Sequence, residues 1–252
     1  MKTYRAVGFA GLIAVACALS AAAAPSNLAT ALSDPRRPAS DVAKDTLRKP
    51  AAVLAFAGVK PGERVGDVFV GNAYLTRILS AAVGPKGRVY GFIPAEMARN
   101  CDPSEFAGAH LVEHDPRFAN VRILTQPAER LAAGEPLDLV ISSQNYHDLF
   151  DRFMEHADVA AVDRSLFRAL RPGGVLLVVD HAAEAGSGVR DTERLHRIDP
   201  AEIRRRLEAA GFVYDGASDA LRNPADDHRL RVFDPKIRGR TDQVILRFRK
   251  PA

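Results

Sequence analysis

The chain has 252 residues, with 35 Lys and Arg against 31 Asp and Glu and a formal net charge of only +4. Its basic residues are spread along the sequence, and the tight cluster Arg204, Arg205, Arg206 reads as a solvated helix face, so the footprint of a nucleic-acid binder is excluded. Two cysteines exclude a disulfide-rich scaffold and cysteine-based zinc sites, and no HExxH or comparable histidine spacing points to a metal; none is expected.

The first residues have the three-part pattern of an export signal: Lys2 and Arg5, an apolar run from Ala6 to Leu19, then a string of alanines before Pro25. The run is shorter than the roughly 20 residues a membrane-spanning helix needs. Ala21 and Ala23 are the small residues a signal peptidase reads, so cleavage near Ala22 to Ala24 and a periplasmic product without an integral membrane segment are expected. The competing readings are an uncleaved anchor and a lipid at Cys17, the latter weakened by Ala14 where a lipobox normally has Leu. Loss of residues 1–24 lowers the net charge from +4 to +2. Cys101 is then the sole cysteine, with no internal disulfide partner.

Residues 25–47, rich in Ala, Ser, Asp and Pro, read as a tether leading into a helix over Asp45 to Phe56, and residues 48–252 as one α/β domain. From Pro61 onward short β-rich runs alternate with helical patterns, the signature of βαβ units and a mainly parallel sheet. Strands are expected at Arg64 to Val70, Arg88 to Ile93, Val121 to Thr125, Leu137 to Ser142 and Val175 to Val179. Helices are expected at Tyr74 to Val83, Phe153 to Leu170 and Pro200 to Ala210, the last with Asp199 as N-cap and Gly211 just past its end. Phe212 to Ser218 and Gln243 to Phe248 complete the sheet as an antiparallel hairpin. Leu221 to Thr241 is too long and too charged for a plain connection and reads as a functional or capping loop.

In such a sheet ligands lie beyond the carboxyl ends of the strands. After the first strand, Asp67 to Ala73 has the length of a nucleotide-binding turn but one glycine, Gly71. A helix starting near Ala73 would offer free N–H groups to an anionic group. After the fourth strand, Ser142 to Asp148 is dense in hydrogen-bonding side chains. Asn145 could orient an amine or carboxamide, Tyr146 could stack and donate, and His147 is a candidate proton acceptor; the bland alternative is a helix cap with core contacts. Asp180 and His181 follow the fifth strand, and His196 and Asp199 precede a helix; each histidine could equally be a neutral structural imidazole. Asp226, Asp227 and His228 lie too close together in sequence to share an ion, so a solvated, salt-bridged loop is expected, with Arg240 and Asp242 as candidates to lock it.

Four segments, Ser143 to Leu149, Asp180 to Ala183, Leu195 to Asp199 and Arg238 to Gln243, together with the Asp67 to Ala73 turn and Leu170-Arg171-Pro172-Gly173-Gly174, are similar to the predicted exported methyltransferases of proteobacteria. The resemblance runs over roughly residues 46–251. It implies the Rossmann-like class I methyltransferase fold, a mainly parallel seven-stranded sheet with an antiparallel last strand, and S-adenosylmethionine as cofactor. It places the cofactor at Asp67, Gly71, Asn72, Ala73 and Tyr74, with Glu96 as the nearest acid after the second strand, where class I enzymes hold the ribose. Asn145, Tyr146, His147 and His181 would face the transferred methyl and a small-molecule acceptor. Asn72 and Ala73 stand where a typical member is glycine-rich. Two rival readings are a methyltransferase-fold protein that binds a small molecule without turnover, and a hydrolase working through the His/Asp pairs.

Overall fold

The computed structural model describes residues 26–252, so the expected signal segment, with Lys2, Arg5 and Cys17, lies outside the described residues. Seven strands form one sheet in the order β3-β2-β1-β4-β5-β7-β6. They are β1 Arg64–Val68, β2 Arg88–Pro94, β3 Val121–Gln126, β4 Leu137–Ser143, β5 Leu170–His181, β6 Val213–Ser218 and β7 Gln243–Arg249. Pairings among β1 to β5 are parallel, and β7 runs antiparallel between β5 and β6. The expected mainly parallel sheet with an antiparallel final strand is therefore the observed one.

The central strands are apolar on both faces because helices cover both. Val65 and Val68 of β1, Leu139 to Ile141 of β4 and Leu176 to Val179 of β5 are buried, as parallel strands between two helical layers must be. Around them lie α1 Ser26–Leu32, α2 Pro50–Ala57, α3 Tyr74–Val83, α4 Ala95–Asn100, α5 Ala107–His114, α6 Val159–Ala169 and α7 Pro200–Ala209. Asp199 caps α7 by accepting the Ala201 N–H at 2.9 Å, and Gly211 follows with φ 104°. Both match expectation.

Three segments differ from the sequence reading. Residues 26–47, expected as a tether, contain α1, and its Leu28 and Ala31 are fully buried. The helix expected over Asp45 to Phe56 is split: a turn over Asp45–Arg48 ends at Lys49, which adopts φ 43°, and Pro50 opens α2. Proline lacks the N–H that a continuous helix would use there, so it begins a helix rather than extending one. The helix expected from Phe153 is a turn over Arg152–Met154 followed by α6, which Asp158 caps by accepting the Ala161 N–H.

Strand order reverses between β1 and β4, whose registers place Asp67 beside Ile141 and Val68 beside Ser142. The two loops leaving these strands diverge to opposite sides and open a crevice, the place where doubly wound sheets bind ligands.

Candidate functional site

A cleft of about 650 Å³ occupies this switch point, lined by Asp67, Gly71, Asn72 and Tyr74 on one side and by Asn145, His147, Asp148, His181 and His196 on the other. Of the residues expected around a cofactor or reacting centre, Glu96, Ala73 and Tyr146 are not among its walls.

The β1 side is shaped by backbone. Phe69, Gly71 and Ala73 all take left-handed φ values, 61°, 49° and 60°, at alternate positions after Asp67. Two of these three carry a Cβ, in a region where only glycine is free of steric cost. The turn is held against α5 at close range: Asn72 Oδ1 accepts the Gly108 N–H at 2.9 Å, and a Cβ on Gly108 would sit 2.3 Å from the Asn72 carbonyl oxygen. Asp67 accepts the Thr76 hydroxyl at 2.6 Å, and burial pushes its carboxyl up to about 7 despite that bond. Lys44 and Arg48, from the segment read as a tether, also line this end. Tyr74 donates to Asp45 at 2.8 Å with the Arg48 guanidinium 4.8 Å from its ring centre.

Glu96 turns elsewhere. Its carboxylate accepts the Ala128 N–H at 3.2 Å, tying α4 to the segment after β3, and it does not face the crevice.

The β4–β5 side is made of side chains. Asp180, fully buried at the end of β5, accepts the His147 N–H at 2.8 Å, meets His147 Nδ1 at 2.7 Å and accepts the His181 N–H at 2.7 Å. It thereby joins the loops after β4 and β5. His147 Nε2 lies 3.0 Å from Asp148 Oδ1. Burial opposes a charge on His147, but the Asp180 and Asp148 carboxylates outweigh it and hold its pKa well above the usual imidazole range. Burial likewise raises Asp148, and its contacts with His147, His196 and Asn145 override that and hold it below the ordinary carboxylate range. Asn145 spends Nδ2 on Asp148 at 2.9 Å.

His181 behaves oppositely. Desolvation drives its pKa down to about 3, so it is a neutral imidazole and a weak proton acceptor. Its Nδ1 meets Thr241 Oγ1 at 2.7 Å, while Gln243 Nε2 donates to that same oxygen at 3.3 Å and Gln144 Nε2 donates to Gln243. The Thr241 hydroxyl therefore anchors the His181 ring through Nδ1.

Tyr146 does not reach the cleft. It is fully buried and donates to Asp163 of α6 at 2.8 Å, so the expected catalytic tyrosine is a core contact with a satisfied hydroxyl. The 221–241 segment does cap the site, contributing Val232 and Phe233. Its lock is a buried pair rather than the expected solvated one: Arg197, fully buried, meets Asp226 at 2.9 Å. Asp242 accepts from Arg222, Asn223 and its partner His228, whereas the Arg240 side chain donates to the exposed Lys236 carbonyl and its own carbonyl accepts from Asn223 Nδ2. The sequence reading missed Lys44, Arg48 and the approach of His196 to His147, at 3.3 Å between ring nitrogens. No local spacing links residues 147 and 196.

No protein-family model matches the chain, and a search of curated proteins finds no match. Solved structures do share its fold. A SAM-dependent methyltransferase from Aquifex aeolicus superimposes with a TM-score of 0.56 at 18% identity, covering 82% of this chain and 97% of that one. The [4+2]-cyclase SpnF gives 0.58 at 18%, covering 87% and 84%. Fibrillarin of Aeropyrum pernix, in complex with natively bound S-adenosyl-L-methionine, gives 0.50 at 19%, covering 81% and 76%. The fold is thus that of the Rossmann-like methyltransferases. Among the described residues no helix is long and apolar enough to cross a membrane.

Proposed function

We propose that the chain is an S-adenosylmethionine-dependent methyltransferase for a small-molecule acceptor, exported to the periplasm by residues 1–24 and related to the exported methyltransferases of proteobacteria. The observation that carries this reading is the cleft at the β1/β4 switch point, with an acid at the end of β1 and a left-handed turn leading into α3. The residues fit the cofactor's charges: Asp67 suits its cationic end, and Lys44 and Arg48 suit its carboxylate. Gly71, Asn72 and Ala73 contribute backbone, Tyr74 an aromatic wall. When bound, the cofactor supplies an activated methyl on a sulfonium, so the protein's task is mainly alignment and exclusion of water. Asn145, His147 and His181 line the opposite wall, where the acceptor would sit. His181, a neutral ring held through Nδ1 by Thr241, orients the acceptor rather than taking its proton. Tyr146 is not part of this set.

The test is calorimetric titration with S-adenosylmethionine and S-adenosylhomocysteine. Micromolar binding, about 8 kcal/mol, is expected, and Gly71→Arg should abolish it while the protein stays folded. Protein recovered from the periplasm should begin near Pro25.

A second reading is favoured by one observation: Phe69 and Ala73 occupy left-handed positions that glycine would fill without strain. A fold-retaining protein that binds another small molecule without methyl transfer would show no heat and no thermal shift at millimolar cofactor.

A further inference from the structure

We propose that His147, Asp148 and His196 form a binding site for one divalent transition-metal ion at the β4–β5 end of the cleft. His147 Nε2 and Asp148 Oδ1 are 3.0 Å apart, His147 Nε2 and His196 Nδ1 3.3 Å, and His196 Nδ1 and Asp148 Oδ1 3.6 Å. Bonds of about 2.0–2.1 Å at tetrahedral angles separate neighbouring donors by about 3.3–3.4 Å. The three distances bracket that value, so an ion can be seated without rebuilding the loops.

The donor set is two imidazoles and one carboxylate. Imidazole nitrogen suits zinc and its first-row neighbours, whereas magnesium and calcium favour all-oxygen sites. Two of the donors are already aimed from behind. Asp180 holds His147 Nδ1 and turns Nε2 toward the trio, and Asn145 holds Asp148 Oδ2 and leaves Oδ1 for it. Such outer contacts fix ring orientation and ligand basicity at metal sites.

A second, independent feature is Asp151. It is 3% exposed, its Oδ1 is buried with no hydrogen-bond partner among the described residues, and its Oδ2 lies 3.7 Å from His196 Nδ1. Asp151 is thus a further oxygen donor beside the trio. His147, Asp148 and His196 all line the cleft, so three protein ligands leave a coordination position open toward it, the arrangement of catalytic rather than structural metal sites. Two contacts must yield: the His147 Nε2 proton, held against Asp148 Oδ1 at 3.0 Å, leaves as the ion enters, and Arg231, which donates to His196 Nε2 at 3.0 Å and so places that ring's proton on Nδ1, lets go. Arg231 is exposed, and water can replace it when the proton moves to Nε2.

This inference does not depend on the cofactor reading, because its test contains no cofactor. Chelator-stripped protein is titrated with Zn2+ against a chromophoric competitor, and separately with Co2+. One tight equivalent of Zn2+ is expected, with the intense visible absorption of a four-coordinate site for Co2+. Asp148→Asn and His196→Asn should each weaken Zn2+ binding by about 100-fold or more. Asparagine tolerates the left-handed backbone of position 196, φ 54°, and melting of each metal-free variant checks that it is folded. His110 and His114, one helical turn apart on the exposed face of α5, could capture Zn2+ at the surface, so His114→Ala is the control and should change nothing. Absence of tight binding, wild-type affinity in folded His196→Asn, or loss of binding in His114→Ala would overturn the proposal.

Discussion

The two ends of the cleft are built by opposite means. At the β1 end the walls are main chain: alternate residues 69, 71 and 73 in left-handed conformation, pressed against the backbone of Gly108. At the β4–β5 end they are side chains converging on the buried carboxylate of Asp180. A wall of backbone tolerates changes of side-chain identity but not of closeness. A wall of side chains is the reverse, and substitutions at the two ends should therefore cost energy for different reasons.

The largest effect is expected at the side-chain end. Asp180→Ala removes the partner of two backbone N–H groups and of the His147 ring, leaving a buried imidazole beside Asp148 with half its compensation gone. A loss of about 3–5 kcal/mol is expected in urea unfolding; a loss below about 1 kcal/mol would remove Asp180 as the organiser of that wall.

Asp67, at the other end, gives a pH signature. Its folded pKa, about 7, lies above the ordinary carboxyl value of 3.8 because it is buried. A carboxyl whose pKa rises on folding contributes stability that is fully present below the unfolded value and is lost as pH rises through the folded one. Asp67→Asn has no charge to bury, so its stability relative to the native chain should improve between pH about 4 and about 7, by at most about 1.4 kcal/mol per pH unit. A pH-independent difference would place the carboxyl in water rather than in the wall.

Gly108→Ala tests closeness directly. A methyl 2.3 Å from the Asn72 carbonyl oxygen meets backbone that cannot rotate away, so α5 or the turn must shift, at about 1–3 kcal/mol. Cofactor affinity should fall with it, although Gly108 is not a wall of the cleft. Tyr146→Phe, in contrast, leaves Asp163 without its donor and should cost about 1–2 kcal/mol while leaving cofactor binding unchanged. A large drop in affinity would return Tyr146 to the site.

The same contrast explains what could be read from sequence. The five parallel strands were legible because buried parallel strands are short apolar runs between turn residues, the antiparallel pair by its alternation, and Ser142 to Asp148 stood out because it is a dense polar run at a strand end. Tyr146 was misplaced within that run: after β4 the chain enters a tight turn at His147–Phe150, which sends one of two neighbouring side chains into the core and the other to the cleft. His196 was seen but not paired, since 49 residues separate it from His147. The helix at Ser26–Leu32 was hidden by its Ala and Ser content, which carries no strong apolar period. At the β1 end the glycine count did not report conformation, because Phe69 and Ala73 adopt the φ values that glycine would.

Ala73→Gly is the smallest and most discriminating change for that last point. A residue with a Cβ at φ 60°, ψ 28° bears roughly 1–2 kcal/mol of steric cost in the left-handed region, which glycine relieves. Against this stand the fully buried methyl of Ala73, worth about 0.8 kcal/mol, and the greater freedom glycine gives the unfolded chain, about 0.5–1 kcal/mol. These terms nearly cancel, so Ala73→Gly should change stability by less than about 1 kcal/mol. The reciprocal change, Gly71→Ala at φ 49° with no atom closer than 4.0 Å to the added Cβ, gains no packing and should destabilise by about 1 kcal/mol or more. If instead Ala73→Gly proves as costly as Gly71→Ala, the turn is held by side-chain packing, and the two ends of the cleft are not built differently after all.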